Sequence, residues 1–121
     1  MILCLETATP SCSVALIHDG NVLQCEEEPK GQNHSEKLTL FIDSVMKKAG
    51  VRFNQLDAVA VSGGPGSYTG LRIGVSMAKG ICYGRDLKLL SVPTTELLCV
   101  PVLLGEEELP EDALLCPMID A

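Results

Sequence analysis

A chain of 121 residues with 46% hydrophobic content has apolar side chains enough for one buried core, and nine basic against sixteen acidic residues leave it at −7. Such a surface repels phosphate, which excludes unaided binding of bare nucleic acid, and with no Trp, two Phe and two Tyr there is no base-stacking platform. The six cysteines form no C-x-x-C pair and mostly sit inside apolar runs, so they read as reduced, buried side chains; no charged leader precedes the first strand-like run and no apolar stretch approaches about 20 residues, so a cytoplasmic location is expected.

Ile2 to Leu5 is a short apolar run of the buried-strand type, and Ser13 to Ile17 repeats it after a hydroxyl-rich interval from Glu6 to Cys12. Asp19, Gly20 and Asn21 mark a hairpin, and Val22 to Glu28 returns as a third strand that turns acidic toward its end, as suits a sheet edge. Pro29 to Gln32 reads as a loop. Asn33 with Glu36 three residues on resembles a capping box. The helix it opens carries Leu38, Phe41, Ile42, Val45, Met46 and Ala49 within about 140° of its circumference, with Leu40 alone on the polar side, and Gly50 is placed to end it. His34, beside the helix start, reads as a polar surface group.

Leu56 to Val61 is apolar nearly throughout, the mark of a central strand, and it leads into the glycine-rich turn around which the chain is organised. Gly63, Gly64 and Gly66 admit positive φ and close approach, Pro65 stiffens the turn, and Ser67 or Thr69 is placed to cap a helix. The free N–H groups of such a turn suit an anion, and a tight connection without any ligand is an equal reading. It is not a nucleotide P-loop, because no Gly-Lys-Ser/Thr follows at the required spacing.

On the helix behind the turn, Leu71, Ile73, Gly74, Val75, Met77, Ala78, Ile81 and Cys82 fill one arc of about 220°, leaving Arg72, Ser76, Lys79 and Tyr83 for water. That arc is wider than one contact requires. Gly70, Gly74 and Ala78 recur every fourth residue and leave a bare edge against which another backbone can lie. Leu71, Val75 and Cys82 suit a sheet, while Ile73, Met77 and Ile81 are left over for a second helix of the same domain or for a partner. Gly84 is the expected helix stop, Leu87 to Val92 a further buried strand, and Pro93 the opening of a third helix over Thr94 to Leu104. Strands alternating with helices across short joins signal parallel crossovers. Glu106, Glu107, Glu108, Glu111 and Asp112 diverge as a solvated linker rather than converging on a metal, and Leu114 to Ile119 reads as a new strand. The expected organisation is therefore a first unit over 1–104, an acidic linker over 105–112, and the start of a second, truncated unit over 113–121.

Three antiparallel strands followed by helix, strand, helix, strand, helix is the order of one half of the actin- and hexokinase-like (ASKHA) α/β fold, a mixed sheet with flanking helices. The string from Ser62 to Lys79 closely resembles the bacterial TsaB family, with supporting matches at Glu6-Thr7-Ala8, His34-Ser35-Glu36, Ser91-Val92-Pro93-Thr94-Thr95 and Ile119-Asp120-Ala121. The resemblance implies a non-catalytic scaffold that partners TsaD in the complex installing N6-threonylcarbamoyl on adenosine 37 of tRNA. TsaE joins that assembly as an ATPase, tRNA is reached only through the complex, and no cofactor and no membrane are implied. It also implies dimerisation with TsaD, or with a second copy when alone, through the first two helices. Leu38, Phe41, Ile42 and Val45 of the first helix and Ile73, Met77 and Ile81 of the second would meet a matching pair, with Gly70 and Gly74 allowing close approach.

No catalytic residue and no metal ligand is expected. Thr94 and Leu98 stand at the positions of the His-x-x-x-His pair of TsaD-like proteins, and neither His18 nor His34 has a second ligand at suitable spacing. In the phosphate hairpin of related ATPases, Glu6 replaces an aspartate and Pro10 removes an N–H. Thr7, Thr9, Gly64, Gly66 and Ser67 are thereby left as weak nucleotide- or anion-binding positions. Two other readings compete: an active ATPase or small-molecule kinase of the same fold, which needs a magnesium acid and a second phosphate loop from another half, and a small-anion module centred on the glycine turn with Arg72.

Overall fold

The computed structural model describes residues 1–30, 34–105 and 108–119. Strands β1 (Ile2–Glu6), β2 (Cys12–His18) and β3 (Asn21–Glu28) lead into helix α1 (His34–Ala49). Strand β4 (Ala58–Ser62), helix α2 (Tyr68–Arg85), strand β5 (Lys88–Val92) and helix α3 (Thr94–Leu103) follow. The sheet has the order β3-β2-β1-β4-β5; β1 is antiparallel to β2 and parallel to β4, and β4 is parallel to β5. The mixed sheet expected from the sequence is the one observed.

Alternation along β1 and β2 selects the buried face. Leu3 pairs in register with Leu16 and Leu5 with Val14, while Val59 and Val61 of β4 lie beside the same two leucines. These six side chains are at most 3% exposed, covered by Leu38, Ile42, Val45 and Met46 of α1 and by Ala78 and Cys82 of α2. Burying each large aliphatic side chain stabilises the fold by roughly 1.5–3 kcal/mol. The opposite face is less covered: Ile2, Cys4, Ala15, Ile17 and Ala60 remain partly accessible.

Local signals hold in detail. Asp19 (φ 50°) and Gly20 (φ 77°) both take the left-handed conformation that a tight two-residue hairpin demands. Gly50 (φ 67°) ends α1, where Val51 N–H donates to the Met46 carbonyl at 3.0 Å. Four expectations are corrected. Leu87 to Val92 is not a buried strand: β5 lies at the sheet edge, and Lys88, Leu89, Leu90 and Ser91 are exposed. Gly84 lies inside α2, which continues to Arg85 because Asp86 (φ 53°) adopts the left-handed cap and its N–H reaches the Cys82 carbonyl. Leu114 to Ile119 forms no strand; Leu115 to Met118 lie beside Leu98, Cys99 and Val102 of α3, where no strand edge is offered and Pro117 has no N–H to give. Of the free cysteines, Cys12 and Cys82 are buried, but Cys25 and Cys116 are exposed. The capping role expected of Asn33 lies outside the described residues. No helix among the described residues is long and apolar enough to cross a membrane.

Candidate docking site between the first two helices

The glycine turn packs closely against the end of β1. Thr7, at the end of β1, is fully buried, and its hydroxyl donates to the Gly70 carbonyl at 2.6 Å. A Cβ at Gly70 would overlap the Thr7 carbonyl oxygen, one at Gly74 would overlap Thr7 Oγ1, and one at Gly66 would lie 2.6 Å from the Ala8 carbonyl oxygen. Ser67 caps α2: its Oγ accepts the Gly70 N–H at 3.2 Å, while its own N–H donates to the Ala8 carbonyl at 2.7 Å. Glu6 closes the other side, accepting from Ala8 N–H at 2.8 Å and from the Ser62 hydroxyl. Burial, with the Glu6 carboxylate second, pushes the Cys12 thiol up.

The five weak anion positions therefore separate. Thr7 and Gly66 are consumed in packing, Gly64 (φ 110°) shapes the turn, and only Thr9 and Ser67 share a cleft, together with His34, Ser35 and Thr69. His34 Nε2 lies 3.0 Å from the Thr9 carbonyl and ties the start of α1 to the β1–β2 turn.

Packing of Gly70 and Gly74 onto Thr7 brings α2 down against the sheet and sets it alongside α1, their N-termini at the same end. Between the helices runs a groove of about 690 Å³ whose walls include Ser35 of α1 and Thr69, Arg72, Ile73, Ser76, Met77, Gly80 and Ile81 of α2. Toward the C-terminal ends it continues as a recess of about 250 Å³ between Thr39, Ile42 and Asp43 of α1, Phe53, and Met77 and Ile81. Arg72 stacks over the exposed Tyr68 ring at 5.5 Å from its centroid.

Set against this geometry, the nine expected interface residues divide. Ile73, Met77 and Ile81 line the groove and are partly accessible. Leu38 and Val45 are 0% exposed and Ile42 5%, packed on β2 and β3, so these side chains have almost no surface to offer a partner. Gly70 and Gly74 face Thr7 of their own chain, and Phe41 packs against the core without lining the groove. Ser35, Thr69, Ser76 and Gly80 were not foreseen as walls, although Thr69 and Ile73, like Arg72, Ser76 and Gly80, follow the four-residue rows that flank the apolar stripe.

A family model described as TsaD: tRNA N6-adenosine threonylcarbamoyltransferase matches residues 28–121. The chain belongs to this family. Its resemblance to TsaB holds beyond the glycine string. The proteins named tRNA threonylcarbamoyladenosine biosynthesis protein TsaB of Haemophilus influenzae and Escherichia coli are both 36% identical to it, over 75% and 77% of this chain and 38% and 40% of their own length. The tRNA N6-adenosine threonylcarbamoyltransferase of Lacticaseibacillus casei is 34% identical over 76% of this chain and 32% of its own. YeaZ from Pseudomonas aeruginosa superimposes with a TM-score of 0.77 at 30% identity, over 85% of this chain and 48% of that one. The TsaB-type chain thus spans about 38–40% of the length of these TsaB relatives.

Thr94 and Leu98, which the sequence resemblance sets at the place of a metal pair, do not make a metal-binding donor set. Leu98 carries no donor atom, and Thr94, 3% exposed, offers a single hydroxyl without a hydrogen-bond partner among the described residues.

Proposed function

We propose that this chain serves the formation of N6-threonylcarbamoyladenosine in tRNA as a cytoplasmic, non-catalytic scaffold, docking onto a TsaD-type transferase through the α1–α2 groove. The observation that carries the reading is apolar surface left over once the core is closed. Ile73, Met77 and Ile81 remain accessible along a groove of about 690 Å³, although the sheet beneath is already covered. The names of the TsaB relatives support the pathway. Consumption of Thr7 and Gly66 in packing weighs against the kinase reading, and alone the chain would pair with a second copy by the same face. TsaE and tRNA would be met only within the assembly.

We further propose that residues 1–104 form a first unit, that 105–112 link it onward, and that 113–121 open a second. Support comes from α3, which is apolar on every side: Leu97, Leu98, Val100, Val102 and Leu103 are 38–64% exposed, and such a helix requires cover on several faces.

Mixing the chain with the TsaD-type protein of the same organism and following co-elution tests the scaffold reading. The unmodified chain is expected to co-elute, and Met77→Asp to lose the complex while its circular dichroism stays unchanged. Retention of the complex by Met77→Asp would contradict docking at this groove.

A further inference from the structure

Among the described residues, Arg72 is the sole cation on the walls of the α1–α2 groove. Its guanidinium rests over Tyr68, one turn earlier on α2, and no carboxylate among the described residues forms an ion pair with it. The one carboxylate on the walls among the described residues is Asp43, already engaged by Lys47 Nζ at 2.9 Å. A second copy laid on this face would bring a second Arg72 and no uncommitted wall carboxylate. Closing water out around two guanidinium groups with no counter-charge penalises that pairing, whereas a single carboxylate presented opposite Arg72 would satisfy the planar fork.

The wider charge distribution points the same way. Residues 34–86, which contain both helices, carry seven Lys and Arg against four Asp and Glu, in a chain whose net charge is −7. Lys47 and Lys48 are paired with Asp43 and Glu26, whereas Arg72, Lys79 and Arg85 of α2 form no ion pair among the described residues, so an acidic surface is drawn to α2 and a like one is repelled over the screening length of about 10 Å.

The geometry points to Arg72 as the specificity-determining residue of the docking face, selecting a different protein that presents a carboxylate on an apolar helical surface over a second copy of this chain. The inference rests on the docking reading above. Specificity here is a difference between two affinities, with the unpaired guanidinium acting as the element that rejects self-pairing.

The test compares self-association, by sedimentation, with binding of the TsaD-type protein of the same organism, by titration, at about 50 mM and about 500 mM NaCl. Arg72→Glu is expected to weaken the mixed complex at least about tenfold and to leave self-association unchanged or tighter; Arg72→Lys should retain most of the mixed affinity. High salt should weaken the mixed complex and not the self-pairing. Absence of any self-association beside an Arg72-dependent mixed complex supports the inference equally. A mixed affinity in Arg72→Glu within about twofold of the parent, or equal weakening of both associations, would overturn it. Met77→Asp separates the two levels: loss of the mixed complex in Met77→Asp but not in Arg72→Glu keeps the groove and removes the selector, whereas loss in neither removes both.

Discussion

Thr7 ties the end of β1 directly to α2. Its hydroxyl is spent on the Gly70 carbonyl, and its backbone and side chain occupy the space that side chains at positions 70 and 74 would need. A methyl at position 70 has backbone to displace rather than a flexible chain end, and overpacking of that kind is costly. Gly70→Ala is therefore expected to lower unfolding free energy by about 2–3 kcal/mol in urea denaturation. Gly84→Ala, in the same helix with open space around its Cα, should instead raise it by about 0.5–1 kcal/mol. Equal effects at the two glycines would show that the Thr7 contact does not set the position of α2.

The first helix is held to the sheet edge as well as to the core. Glu26 of β3 accepts from Ser44 Oγ at 2.9 Å and from Lys48 Nζ at 2.5 Å, and these bonds, Lys48 first, hold its carboxyl below the usual glutamate range. A carboxyl whose folded pKa is lowered contributes stability above its unfolded pKa and loses it as pH falls through the folded one. The stability difference between the parent chain and Lys48→Ala should accordingly be present at neutral pH and disappear well below about pH 4, read from urea midpoints. A difference that persists in acid would mean that Lys48 acts through packing of its stem.

Elements differ in how far the sequence reveals them. The stripe on α1 is legible because Leu38, Ile42, Val45 and Met46 recur at helical spacing and all four are buried. The excess width of the apolar arc on α2 is equally legible, but its division is not. What lies against Gly70 and Gly74 is Thr7, more than sixty residues away in sequence, and a helical wheel carries no information on distant partners. The same blindness assigns Leu38, Ile42 and Val45 to a partner when their own sheet buries them. Leu114 to Ile119 has the composition of a strand, yet a strand exists only where an edge accepts it, and here the segment runs beside α3.

At the scale of the molecule, one side of the sheet is closed by α1 and α2, and the other is left with a partly accessible strand face and an apolar third helix. Function is read from the closed side. There the core consumes most of the apolar surface of the two helices and leaves a groove with, among the described residues, one cation on its walls. Hydrogen–deuterium exchange on the intact chain, with and without the TsaD-type protein of the same organism, tests this most directly. Slowed exchange along residues 35–43 and 69–81, with β3 unchanged, is the predicted result. Protection centred on β3 or α3, with none along the two helices, would contradict docking through the groove.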